Sequence, residues 1–150
     1  MMKIFLYSLV VGLSVACSMN FTKETNSLVQ LLDSYGDSIP ETECVFILHS
    51  RVSCHGCVQR MFVQINANVN ATNSIPITII SSSSKDVPLP LSEVATFVED
   101  VDNEIEEQFI RSVNLTLIRT INGQVSQFKI IETTDSNIYP NEIDAFFAKK

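Results

Sequence analysis

The hydrophobic pattern changes period several times along the chain. Between residues 22 and 35, Leu28, Val29, Leu31 and Leu32 recur at helical spacing, with Thr22 or Thr25 placed to cap the helix and Gly36 to end it. "DSIPETE" then reads as a polar loop. "CVFILHS", residues 44–50, is a continuous run of β-prone apolar residues, the pattern of a strand buried on both faces. After "RVS", Cys57, Val58, Met61, Phe62 and Ile65 form a helical stripe that predicts a helix from His55 to about Asn68, with Asn68, Asn70 and Asn73 breaking it. "SIPITIIS", residues 74–81, predicts a second buried strand, with Pro76 tolerated near its start.

"SSSSKDVPLP" reads as a loop. Beyond it, Leu91, Val94, Phe97, Val98, Val101, Ile105, Phe109 and Ile110 give a stripe that predicts a helix over residues 91–112, with Ser92 as its cap. "DNE" divides it into two pieces. The pattern then alternates around Asn122-Gly123, the strongest short signal for a hairpin. "PNEIDAFFAKK" closes the chain as a helix, with Pro140 in the first turn, acids early, lysines last, and Ile143, Phe146 and Phe147 facing the core. The expected order is β–α–β–α–β–β–α after an N-terminal helix. The first two strands are joined by a helix and so run parallel with a right-handed crossover, and the last two are antiparallel. The expected α/β architecture is a four-stranded mixed sheet with flanking helices.

Before the first helix the chain reads as a targeting segment. "MMKIFLYSLVVGLSVAC" places one Lys before an apolar run from Ile4 to Val15 and small residues before Cys17. That order is a secretory signal, and the run is shorter than the ~20 apolar residues a membrane span needs. "LSVAC" resembles a bacterial lipobox, which implies cleavage after residue 16 and a lipid on Cys17. The expected organisation is a signal peptide over 1–16, a lipid-anchored tether and helix over 17–42, and a domain over 43–150. Residues 17–21 are the tether. The resulting location is the envelope of a Gram-negative bacterium, membrane-anchored and facing the periplasm or the outer surface. Ser14 and Ala16 equally suit ordinary signal cleavage.

The net charge of −7 becomes −8 when Lys3 leaves with the signal, and there is no basic cluster. An acidic chain of this kind argues against nucleic acid and anionic lipid surfaces as partners. Export also permits disulfides. With Cys17 lipidated, Cys44, Cys54 and Cys57 remain as thiols.

Cys54 and Cys57 frame His55 and Gly56 where the first strand hands over to the first helix. A helix N-terminus carries roughly half a positive charge and unpaired N–H groups, so it favours a thiolate. Cysteines in such motifs titrate at about 3.5–7.5 rather than ~8.5. The spacing lets the two sulfurs meet. Cys54 is then the exposed attacking thiol and Cys57 the resolving thiol. A protonated His55 beside Cys54 would lower its pKa further. Cys44, at the start of the strand, reads as a buried inert thiol, and His49, at its end, as a satisfied histidine at a sheet edge.

The strand–CHGC–helix junction, the later hairpin and the terminal helix together resemble the thioredoxin-like fold over residues 43–150, and in particular exported, lipoprotein-type thiol–disulfide oxidoreductase relatives. The resemblance implies that Cys54 is the nucleophile, that Cys57 resolves, that the partners are protein thiols or disulfides, and that no cofactor is needed. Ser53 stands where the family usually has an aromatic residue, and the chain has no Trp. The partner-facing loop, which in the family starts the third strand with a cis-proline, falls at Val113 and Asn114, and no proline lies between Pro90 and Pro140.

Two other readings stay open. "VSCHGCVQRM" also resembles the metal loop of heavy-metal-associated domains, which implies soft copper held by Cys54 and Cys57. Val52 replaces their usual Met, and no third strand follows soon after the second. Structural zinc lacks a second distant ligand pair, and haem attachment lacks a His after the second Cys. The other reading is a non-catalytic interaction protein in which CHGC is a structural disulfide. Asn20, Asn70 and Asn114 begin N-x-T tripeptides, which matter only for a eukaryotic secreted protein.

Overall fold

The computed structural model describes residues 20–51, 55–72, 75–109, 115–132 and 139–148. In chain order they form α1 (Thr22–Ser34), β1 (Cys44–His49), α2 (His55–Thr72), β2 (Ile77–Ser81), a 3-10 turn (Ser84–Asp86), α3 (Leu89–Ser92), β3 (Thr96–Glu99), α4 (Glu104–Gln108), β4 (Leu115–Ile121), β5 (Gln124–Ile131) and α5 (Tyr139–Phe147). The sheet order is β3-β2-β1-β4-β5. β1, β2 and β3 run parallel, while β4 lies antiparallel to both β1 and β5.

β1 occupies the centre, and all six of its residues are buried, as its unbroken apolar run requires. Its alternation divides the core. Val45 and Ile47 face a cluster with Val58, Met61, Phe62 and Ile65 of α2 and Ile143, Phe146 and Phe147 of α5. Cys44, Phe46 and Leu48 face the opposite cluster, closed by Leu28, Leu31 and Leu32 of α1 and Ile105 of α4. The result is three layers, helix–sheet–helix. The hairpin turns on Asn122 (φ 54°) and Gly123 (φ 70°), the paired left-handed conformation that favours Asn-Gly.

The mixed α/β architecture is the expected one, but the sheet has five strands instead of four. Residues 96–99 form the edge strand β3 where a helix was predicted. The period decides it. Phe97 packs against one core cluster and Val98 against the other, which only a strand allows for adjacent residues. Val94 and Val101, counted in the helical stripe, are 56% and 72% exposed. Pairing with β2 gives the Thr96–Glu99 backbone hydrogen bonds that a lone helical turn would not, and Thr, Phe and Val suit a pleated surface. The second predicted helical piece survives as α4, whose first N–H, that of Glu104, donates to Asp100 Oδ1 at 2.7 Å. α2 runs past the predicted break at Asn68. That side chain donates to Gln64 O at 3.0 Å and to Asp144 Oδ1 at 2.7 Å, so it is satisfied inside the helix.

Candidate functional site

The sequence-derived site falls at the end of the sheet where β1 gives way to α2. α2 is 18 residues long and buries Val58, Met61, Phe62 and Ile65 completely. That anchors its first turn over the centre of the sheet. Cys57, its third residue, is half-buried. A thiol there is near enough to solvent to react and lies within the first turn, where the helix field favours an anion.

Of the other sequence-derived site residues, Cys54, Cys17, Val113 and Asn114 lie outside the described residues, and of His55 only its place as the first residue of α2 is described. Cys44 is buried at the start of β1, at the opposite end of that strand from the junction with α2, with its Sγ 3.9 Å from Val45 O. Burial pushes its thiol pKa up, against a smaller opposing pull from hydrogen bonds to Thr78 and the Val45 backbone. Among the described residues no group of three or more His, Cys, Asp or Glu side chains could hold a metal ion. Nor, among them, is any helix long and apolar enough to cross a membrane.

Sequence reasoning missed a buried polar cluster beside this junction. His49 is 2% exposed at the end of the central strand, not at a sheet edge. Its Nδ1 lies 2.9 Å from Ser81 Oγ and 4.0 Å from Asp86 Oδ2. Its ring stands edge-on to Phe62 of α2, centroids 6.0 Å apart at 88°. Ser81 is its register partner on β2 and is fully buried. The available signal was positional: both predicted buried strands end on a polar residue, and parallel neighbours joined by one helix bring such ends together.

No family model matches the chain, and no curated protein matches it. Among solved structures, the crystal structure of the thioredoxin domain of a thiol-disulfide oxidoreductase from Bacteroides vulgatus is similar to it, at 11% identity and a TM-score of 0.44, over 72% of this chain and 81% of that one. The fold rests on the observed strand order and senses rather than on that likeness. A parallel β–α–β half joins an antiparallel hairpin and terminal helix, with β1 central and α2 leaving its end. With these features the chain has a thioredoxin-like fold.

Proposed function

We propose that this protein performs thiol–disulfide exchange through Cys54 and Cys57. The observation that carries the reading is the half-buried Cys57 in the first turn of a long, core-anchored helix that leaves the central strand. Cys54 directly precedes that helix in sequence. In the proposed reaction the Cys54 thiolate attacks one sulfur of a partner's disulfide and the partner's other sulfur leaves as a thiolate. Cys57 then attacks Cys54, releasing the second partner sulfur and leaving a Cys54–Cys57 disulfide. Two electrons pass from the dithiol to the partner, and the reverse sequence oxidises a partner dithiol. The substrates are protein thiols or disulfides. We further propose export directed by residues 1–16 and anchoring through a lipid on Cys17, in the envelope of a Gram-negative bacterium.

The deciding measurement is the reduction potential of the Cys54–Cys57 pair, obtained by equilibrating the domain in glutathione buffers. The expected value lies between about −120 and −270 mV, the range of thiol–disulfide carriers. A value below about −300 mV would mark a structural staple and sink the proposal. The anchor has its own test. Cys17→Ala should move the protein from the membrane fraction to the soluble fraction, and unchanged partitioning would remove the lipid from the proposal.

A further inference from the structure

Two hydrogen bonds fix the direction in which α1 crosses the sheet. In its first turn, Thr25 Oγ1 accepts from the Val125 N–H at 3.1 Å. Val125 lies just beyond the Asn122-Gly123 turn and pairs with Thr120, which in turn pairs with Cys44 at the start of β1. Just past the last turn of α1, the Tyr35 hydroxyl donates to Asp100 Oδ1 at 2.6 Å. Asp100 follows β3, and its N–H donates at 2.9 Å to Ser81 O at the exit of β2. β1, β2 and β3 run parallel, so their exits share one end of the sheet, the end from which α2 starts. α1 therefore runs from the hairpin end to the Cys57 end. Its 13 residues rise about 20 Å, and the six residues of β1 rise a similar ~20 Å, so the two ends stand that far apart.

The two poles are unlike. The hairpin pole holds the start of α1, the Asn122-Gly123 turn and the loop before β1, where Glu41 O accepts from the Asn122 N–H at 3.1 Å. Its charges are mixed: Lys23 stands beside Glu24 in the first turn of α1, and Arg119 faces Glu43 at 3.6 Å. Acids dominate the opposite pole. Residues 99–107, from the end of β3 into α4, carry six acidic side chains and no base. One of them, Glu106, lies 3.8 Å from Arg51, which follows the exit of β1, so α4 stands beside the connection that leads into α2. An anionic lipid surface repels such a pole at short range.

Cys17, the proposed lipid carrier, stands only a few residues before Thr22, a reach of at most about 17 Å. The tether thus leaves from the hairpin pole, and a tether shorter than the molecule cannot invert it. We infer that the protein stands with its hairpin pole on the bilayer and its Cys57 end pointing away, so that its exchange partner is a water-soluble protein domain met on the aqueous side. The inference rests on the anchor and exchange readings above and adds the direction of the site and the kind of partner that reaches it. A disulfide held at the headgroups of the same membrane lies beside the wrong end.

The test uses the lipoprotein extracted from membranes and reconstituted in nanodiscs of phosphatidylethanolamine and phosphatidylglycerol, with a gadolinium chelate on a fraction of the headgroups. Amide NMR signals of Ile121, Asn122 and Gln124 should be lost to paramagnetic broadening, while those of Val58 and Asp102 should persist. Equal loss at both ends, or greater loss at Val58, overturns the inference. Mass spectrometry of the same sample reads the anchor separately: a chain without lipid sinks the anchor reading, and the orientation falls with it. The partner is read by exchange from the reduced protein in nanodiscs without gadolinium. A soluble disulfide peptide should be reduced, and the same peptide held at the headgroups of the same disc by a diacyl tail should not. Reduction of the tethered peptide as fast as the soluble one overturns the choice of partner. Reduction of neither sinks the exchange reading and the partner with it, while the broadening pattern still decides the orientation.

Discussion

Arg119 shows how a single side chain can join two elements. It lies on β4 with its side chain 11% exposed, and its Nη2 donates to Phe146 O at 2.9 Å, one of the last carbonyls of α5. Nη1 lies 3.6 Å from Glu43 Oε1, and the guanidinium sits 5.4 Å from the centroid of the Phe146 ring. Its Nε is buried without a hydrogen-bond partner among the described residues, a cost the other contacts must offset. A lysine cannot reproduce this fork. Arg119→Lys should therefore lower stability by about 1–3 kcal/mol, the scale of a hydrogen bond from a charged donor. A urea midpoint equal to that of the parent would show that the contact contributes nothing.

Asp144 makes the second residue-scale case. Asn68 and Gln64 both donate to its Oδ1 at 2.7 Å, and these bonds, Asn68 first, hold its carboxyl below the usual value of 3.8. The folded state binds this proton less readily than the unfolded chain does. The contribution of Asp144 is therefore complete above about 3.8 and is lost as pH falls through the lower folded value. Solvent screens so exposed a group, so the effect on stability is small and the titration is the better measurement. NMR should place the Asp144 midpoint below 3.8 and move it upward in Asn68→Ala. An unmoved midpoint would mean that the Asn68 bond does not form in solution.

At the scale of elements, β3 separates what a residue pattern can say from what only pairing decides. β1 was legible because an unbroken buried run has one natural use. The hairpin was legible because Asn122 and Gly123 both take positive φ. Phe97 and Val98 were not, because Val94, Phe97, Val98 and Val101 satisfy a helical period as well as a strand. The tie was broken by the free edge of β2, which lies far from them in any local window. The candidate site divided in the same way. Cys57 could be placed from the helical stripe, whereas the partnership of His49 with Ser81 and Asp86 depends on the register of β1 with β2 and on the turn after it. As an edge of only four residues, β3 should be the first part of the sheet to open. Native-state hydrogen exchange should find Val98, whose N–H turns toward β2, less protected than Phe46 to Leu48 but well above the exposed bend at Asp102. Protection no greater than at Asp102 would mean that the strand does not persist.

At the scale of the molecule, the second face of the sheet depends on α1. Leu28, Leu31 and Leu32 are fully buried against Phe46, Leu48, Ile80 and Ile118. Thr25 Oγ1 accepts from the Val125 N–H at 3.1 Å, and the Tyr35 hydroxyl donates to Asp100 Oδ1 at 2.6 Å. Burial, then the Asp100 bond and its charge, push that hydroxyl's pKa far up. The helix is therefore a layer of the fold as well as the lead-in to it. If Cys17 carries a lipid, the few residues before Thr22 span at most about 17 Å, and the anchor holds this layer close to the bilayer. Burying a leucine is worth about 1.5–3 kcal/mol, so three of them approach the roughly 5–15 kcal/mol that a whole domain retains. A chain starting at residue 43 should lose its cooperative thermal transition and bind a hydrophobic dye through the uncovered face. A sharp transition within a few degrees of the full chain's would show that the sheet closes its second face without α1.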